Sequence, residues 1–279
     1  MILAIISSVI LLVLLFLQWL SIRGRTGHPE LHTLQGWSYA HRGLHKPGIP
    51  ENSMAAFQAA LEQGYGIELD IHLLKDGSLA VIHDSALFRT TGLSGDVEDL
   101  NADGLKDCFL EGTNQTIPLF QDVLTLYQGK RPLIIELKVH KNNVDALCQA
   151  ACAIMEGYNG PWCMESFDPR CIYWLKKNRP EIIRGQLTED YALSPHLKVP
   201  RILKWLMKHN RMNFLTRPDF VAYRYRDRLS TPTNRFCMKR MTGVSWTVQT
   251  QAEFDTAVAE GWIPIFEGFL PDPTRRAKN

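Results

Sequence analysis

Four short apolar runs in this chain end in groups able to do acid, base or ion chemistry. They are "SYAHR" (38–42), "GIELD" (66–70), "AVIHD" (80–84) and "LIIELK" (133–138). Side chains alternate faces along a strand, so Glu68 shares a face with Asp70, and Glu136 with Lys138. Glu68, Asp70 and Glu136 form a hard-oxygen set that suits Ca2+ or Mg2+ rather than zinc. Without a cation, three convergent carboxylates repel one another, and at least one keeps its proton. Arg42 and Lys138 supply donors for an anionic oxygen. His41 and His83 titrate near neutrality and can pass protons as an acid/base pair. Taken singly, each has a plainer reading: Glu-x-Asp as a strand's exposed face, His-Asp as a turn, a terminal lysine as a solvated strand end. Their common position at strand ends points to phosphoryl-type chemistry.

Such a set converges only if the strands share one rim. Apolar or β-branched runs predict strands over 37–40, 67–74, 79–82, 133–138, 162–167, 182–187, 220–224, 244–248 and 263–267. Helical patterns lie between them over 52–63, 119–127, 144–155, 169–178, 195–209 and 252–260. Strand–helix alternation implies a parallel sheet with helices outside. The length after Gly36 is close to that of an eight-stranded β/α barrel. The ninth strand is accounted for by "LLKDGSLAVIHD" (73–84), where Asp76-Gly77 signals a hairpin. So short a connection makes the pair antiparallel, and the second barrel strand then carries a β-hairpin excursion. A two-residue turn at Asp76-Gly77 places His83 opposite Asp70, on the face shared with Glu68.

The domain reading is an N-terminal anchor (1–22), a juxtamembrane connector (23–35) and one barrel domain (36–279). Residues 2–20 carry no charge, and as a helix they reach about 28 Å, near the thickness of a bilayer core. Trp19 sits where an interfacial aromatic belongs. Arg23 and Arg25 follow, with no Lys or Arg before them, which puts the catalytic bulk in the cytoplasm. A cleaved signal peptide would want a basic start and a small-residue cleavage site. The net charge is only +2, yet residues 198–240 hold twelve Lys/Arg against Asp219 and Asp227. That density fits an anionic partner or a solvated basic face. The stretch "SPHLKVPRILKWLMKHNRMNF" (194–214) interleaves apolar and basic residues. It reads either as an outer barrel helix or as a segment lying on an anionic bilayer. None of the six cysteines forms a C-x-x-C pair, so neither a zinc site nor a disulfide framework is expected. No nucleic-acid partner is expected.

The residues 41–84, "IPLFQDVL" (117–124), "LIIELK" (133–138), "ESFDP" (165–169) and "VSWTV" (244–248) resemble the glycerophosphodiester phosphodiesterase family. The resemblance implies a (β/α)8 TIM barrel, a divalent metal, and hydrolysis of a glycerophosphodiester to glycerol 3-phosphate and an alcohol. Carried onto matching positions, His41 and His83 become the acid/base pair. Glu68, Asp70 and Glu136 become metal ligands, and Arg42 and Lys138 become phosphate contacts. Of the Pro-Glu-Asn motif, Asn52 is expected to cap the first outer helix and Glu51 to help organise the site. Trp246 matches a common family tryptophan and is expected either to line the pocket or to pack in the core.

There are departures from the family pattern. Ser53 and Leu74 stand where threonine is common, and Glu267 stands where an aspartate is usual, which leaves Glu267 without an assigned role. The last outer helix is expected to be short or absent, with the N-terminal helix available to cover the gap. His41 is taken as base and His83 as acid. Two alternatives stand beside the hydrolase: a catalytically silent, membrane-anchored headgroup-binding module, and a lysophospholipase D acting on membrane lysolipids. There is no G-x-S-x-G elbow, Walker loop or H-E-x-x-H motif to support another enzyme class.

Overall fold

The computed structural model describes residues 2–191 and 199–271. Its strands are β1 (Tyr39–His41), β2 (Gly66–Leu73), β3 (Leu79–Val81), β4 (Leu133–Leu137), β5 (Trp162–Ser166), β6 (Arg184–Thr188), β7 (Phe220–Arg224), β8 (Thr242–Val248) and β9 (Trp262–Phe266). Eight of them run parallel and close into a (β/α)8 barrel, because β1 pairs with both β9 and β2. The exception is β3, which among the strands pairs only with β2, antiparallel. The helices are α1 (Ile2–Ile22), α2 (Met54–Glu62), α3 (Phe88–Thr91), α4 (Phe120–Tyr127), α5 (Val144–Met155), α6 (Pro169–Asn178), α7 (Arg201–Lys208), α8 (Asn213–Thr216), α9 (Pro232–Met238) and α10 (Gln251–Ala259). The helix expected over 195–209 is α7, and residues 195–198 lie outside the described residues.

Period-two alternation along each strand divides the core into two shells. Ile67, Leu69, Ile135 and Val221 face outward and pack with helix residues such as Phe57, Val123, Leu147 and Leu175. Tyr39, Ile134, Cys163, Phe220, Val244 and Ile265 point inward and fill the lower barrel. Two residues further along these strands come His41, Glu136, Glu165, Ala222, Trp246 and Glu267. The same alternation that packs the floor therefore brings His41, Glu136, Glu165 and Glu267 to the C-terminal mouth. Gly185 is part of that floor. A Cβ there would lie 2.1 Å from the Phe220 ring, so only glycine leaves room for the phenylalanine.

Residues 23–35 run along the barrel's N-terminal end. The Arg25 guanidinium forks onto both Asp219 oxygens at 2.5 Å and donates to the Ile182 carbonyl at 3.1 Å. Leu34 packs under the floor, and its carbonyl accepts from the Tyr39 hydroxyl at 2.9 Å. Between Ile5 and Ile22, α1 is long and apolar enough to cross a membrane, with mean hydropathy 2.5 and only 6% of that stretch buried. It does not cover the gap beside β9. Its last turn packs instead on α8 and α9, where Asn213 Nδ2 donates to the Ile22 carbonyl at 3.0 Å. Phe269, edge-on to Phe254 and Phe266, fills the place of a last outer helix. No helix follows β9 among the described residues.

Candidate active site

Parallel register sets Asp70, Glu136 and Glu165 level with one another, and Glu68 level with His41. His41 pairs with Glu68, Asp70 with Glu136, and Glu136 with Glu165. Glu68, Asp70 and Glu136 are all buried, and one ligand oxygen from each lies within 4.8 Å of the others. Burial, then repulsion from Asp70 and Glu136, pushes Glu68 well above the usual carboxylate range. Burial likewise raises Glu136 to about 7, against the pull of Lys138. Asp70 goes the other way. Burial pushes it up, but Lys138, His83, Arg42 and Asn52 together outweigh that and hold it well below its ordinary value.

The cations close over this cluster. Lys138 Nζ lies 2.9 Å from Asp70 Oδ1 and 2.7 Å from Glu136 Oε1. Arg42 Nε is 3.4 Å from Asp70 Oδ2, while its Nη1 donates to Glu51 Oε1 at 3.0 Å. Arg42 itself adopts a left-handed backbone (φ 54°), costing about 1–3 kcal/mol that its surroundings must offset. Its N–H donates to the Glu68 carbonyl at 2.9 Å, and its own carbonyl accepts from Asn52 N at 2.9 Å. Glu51 is gripped a second time by Arg89 Nη2 at 2.6 Å.

Asn52 is not the helix cap. Ser53 caps α2 by accepting from Ala56 N, and Asn52 (φ 51°) turns inward so that its Nδ2 donates to Asp70 Oδ2 at 2.9 Å. The neighbouring serine satisfies the helix terminus, which frees the amide to orient a site carboxylate.

The hairpin register also differs from expectation. Ile71 pairs with Val81 and Leu73 with Leu79, and Leu74 N donates to the Ser78 carbonyl. The loop is thus Lys75-Asp76-Gly77, with Gly77 at φ 89° in the position only glycine takes easily. Asp70 therefore faces Ile82, whose N donates to the Asp70 carbonyl at 3.1 Å. A one-residue slip would send His83 to the wrong face if the ladder continued. The ladder stops first: β3 ends at Val81 and the chain bends at His83. His83 consequently still acts electrostatically on Asp70.

Both histidines are held by carboxylates. His41 Nδ1 lies 2.7 Å from Glu267 Oε2, and its Nε2 is 3.9 Å from Glu68 Oε2. Glu267, left without a role by the sequence, sits two places after inward-facing Ile265, a parity that could have found it. Glu267 Oε1 also lies 3.7 Å from His45 Nε2. Hydrogen bonding to His41 holds the Glu267 carboxyl down at about 2. His83 Nδ1 meets Asp84 Oδ1 at 2.5 Å, and Asp84 is in turn paired with Arg89. Burial lowers the pKa of both histidines. A buried network lies behind His83: His72 Nδ1 is 2.6 Å from Glu98 Oε1, Ser85 Oγ donates to Glu98 Oε2 at 2.7 Å, and His72 Nε2 is 3.2 Å from the His83 carbonyl. His45, Arg89, Glu98 and His140, which is 3.0 Å from Ser85 Oγ, come from loops or short turns where no periodicity marks them.

Two further groups complete the mouth. Glu165 is fully buried, neither carboxylate oxygen has a hydrogen-bond partner, and burial with Glu136 and Asp70 nearby raises it well above the usual range. Trp246 is half-buried, T-shaped against Phe167 at 5.5 Å, and donates from Nε1 to the Ala222 carbonyl at 3.2 Å. It packs on the floor cluster, as one of the two expectations for it has it.

Residues 41–267 match the glycerophosphoryl diester phosphodiesterase family. A glycerophosphodiester phosphodiesterase of Bacillus altitudinis is 45% identical over 113 residues, 38% of this chain and 45% of that protein. Lysophospholipase D GDPD1 of Rattus norvegicus is 36% identical over 116 residues, 37% of this chain and 36% of that protein. The curated relatives are thus matched over only part of their own length. A phosphodiesterase of Oleispira antarctica, solved with the product sn-glycerol-3-phosphate, superposes with a TM-score of 0.66 at 19% identity, covering 83% of this chain and 92% of that one. That last likeness speaks for the fold. With a family match spanning both ends of the barrel, this chain belongs to the glycerophosphoryl diester phosphodiesterase family.

Proposed function

We propose that this chain hydrolyses glycerophosphodiesters to glycerol 3-phosphate and an alcohol, using a divalent cation and two histidines. The observation that carries this reading is the packing of Glu68, Asp70 and Glu136 into one buried cluster flanked by His41 and His83. The cluster fits a cation. Its donors are all carboxylate oxygens, and burial together with mutual repulsion raises two of the three, a cost that a cation bound among them would relieve. Bound there, Ca2+ or Mg2+ would neutralise charge on the phosphate oxygens.

The chain's own groups carry the remaining steps. Arg42 and Lys138 orient the bridging phosphate and stabilise its charge. His41 takes a proton from the nucleophile, water or the substrate's neighbouring hydroxyl, because the Glu267 carboxylate on Nδ1 stabilises the resulting imidazolium. His83, more exposed at 32% against 14% for His41, donates a proton to the departing alcohol oxygen. Glu51 fixes Arg42, and Trp246 offers an apolar wall for the glycerol. We read α1 as a membrane anchor with the barrel on the cytoplasmic side.

The test is incubation of the full chain, in detergent or nanodiscs, with glycerophosphocholine and separately with lysophosphatidylcholine. Release of glycerol 3-phosphate that stops on chelation and returns with Ca2+ or Mg2+ supports the reading. His83→Ala should cut turnover by about 10²–10⁴-fold while leaving KM within a small factor. Release of choline-free lysophosphatidate instead would move the substrate to the lysolipid. No release from either substrate with any divalent cation, or unimpaired turnover in His83→Ala, contradicts it.

A further inference from the structure

The helices of the β6–β7 and β7–β8 crossovers leave an apolar and basic face uncovered. Helix α7 is amphipathic yet has no buried side chain, and Ile202 and Trp205 are 64% and 45% exposed. Phe214 and Leu215 on α8 and Phe236 on α9 are exposed as well. Cations are interleaved with them. The Arg211 guanidinium lies 4.8 Å over Trp205, and that of Arg240 lies 4.7 Å over Phe236. The acids of this basic stretch do not reach the face: Asp219 is buried against Arg25, and Asp227 is buried against Arg224.

The α8 and α9 part of this face adjoins the point where α1 leaves the barrel. The carbonyl of Ile22, the last residue of α1, accepts from Asn213 Nδ2 on α8 and from Cys237 Sγ on α9. Arg217 Nη1 donates to the Arg23 carbonyl at 3.1 Å, and Arg23 stacks 4.9 Å over Trp19. Trp19, Ile22, Arg23, Phe236 and Arg240 line one groove between α1 and α9. An aromatic ring capped by an arginine thus occurs twice at the end of the apolar helix, Trp19 with Arg23 and Phe236 with Arg240, and a third time on α7, Trp205 with Arg211. Arginine-capped aromatics suit the headgroup layer, where the ring meets acyl chains and the cation meets phosphate.

We propose that α7, α8 and α9 form a docking face for an anionic bilayer, with Ile202, Trp205, Phe214 and Phe236 entering the interface and the surrounding arginines and lysines meeting acidic headgroups. This rests on the reading of α1 as a membrane anchor. A span that ends at Ile22 puts α8 and α9 within a side chain's reach of the bilayer surface. Each cation brought to an acidic leaflet strengthens adhesion by about fivefold. The barrel is then held against the membrane on one flank and does not swing freely on a tether.

The experiment uses the full chain in nanodiscs of phosphatidylcholine with or without phosphatidylglycerol. An environment-sensitive fluorophore is attached at Ile202→Cys, with Gln121→Cys on the exposed side of α4 as control; the six native cysteines are buried. With phosphatidylglycerol, the label at 202 should shift to the blue and be quenched at least about twofold by spin-labelled lipid, while the label at 121 stays in water. The triple variant Arg235→Glu, Lys239→Glu, Arg240→Glu should abolish that quenching and still resist alkaline carbonate extraction. A label at 202 as unquenched as that at 121, in a carbonate-resistant protein, overturns the docking face and leaves the anchor. Quenching at 202 in a protein that carbonate extracts overturns the anchor and keeps the face. Extraction without quenching overturns both.

Discussion

Glu267→Gln removes one charge from the site and almost no volume. The wild-type carboxylate lies 2.7 Å from His41 Nδ1, a charge-assisted contact once His41 takes a proton. Such a bond contributes about 1.5–3 kcal/mol, and each ~1.4 kcal/mol is tenfold in rate. Glu267 is 29% exposed, so solvent screening takes the effect toward the lower half, a fall in kcat of about 10–50-fold. KM should stay within a small factor, because Glu267 touches the base and not the phosphate contacts. The pH profile carries a second signature. Burial lowers the His41 pKa and Glu267 opposes that lowering, so losing the carboxylate lowers it further. The base is then neutral down to lower pH, and the acid limb of kcat/KM moves acidward. The assay is glycerol 3-phosphate release from glycerophosphocholine across pH 5–9. A variant with near-wild-type kcat, or an acid limb moved toward higher pH, refutes the assignment of His41 as a base oriented by Glu267.

Three other outcomes follow from the same geometry. Glu165 is buried without a hydrogen-bond partner, and burial raises its carboxyl well above the usual range, so Glu165→Gln should leave divalent-cation affinity within a few-fold by calorimetry. Glu98 is held at about 2, where burial pushes it up but His72 and Ser85 outweigh that; its stabilisation is present above the unfolded carboxylate value near pH 4.5 and lost as pH falls toward 2. Glu98→Gln should therefore lose about 2–3 kcal/mol at neutral pH in a denaturant titration, and that difference should vanish at pH 2. Gly185→Ala drives a methyl into the Phe220 ring, costs about 1–3 kcal/mol and lowers the melting temperature by a few degrees; Phe220→Leu should recover part of the loss.

The barrel was legible because its cause is periodic. Runs such as 133–138 alternate between an outer apolar shell and an inner one, and each is followed by a helical pattern. The parts that were not legible turn on local chain geometry. Asp76-Gly77 announces a hairpin but not whether the loop holds two residues or three, and the third, Lys75, moves the register by one. The strand ends at Val81 and the chain bends at His83, a termination that nothing in "AVIHD" declares. Asn52 and Ser53 are both good caps by composition. Only the left-handed turn at Asn52 decides that the serine caps and the amide faces Asp70. Arg89, Glu98 and His45 lie on loops or short turns that reach the mouth through tertiary packing, so no spacing reveals them. The arrival of α1 on α8 and α9 is likewise a long-range contact, invisible to any local pattern.

The proposed function depends on a buried trio of carboxylates, two from β2 and one from β4, holding a single divalent cation. Calorimetric titration of Ca2+ or Mg2+ into chelator-treated full chain, in two buffers of different ionisation enthalpy, measures this directly. The account predicts one ion per chain with proton release at neutral pH, since Glu68 and Glu136 hold raised pKa values before binding, and a loss of affinity of about 10²-fold or more in Glu136→Gln. Binding that releases no protons, or that survives Glu136→Gln unchanged, would contradict it.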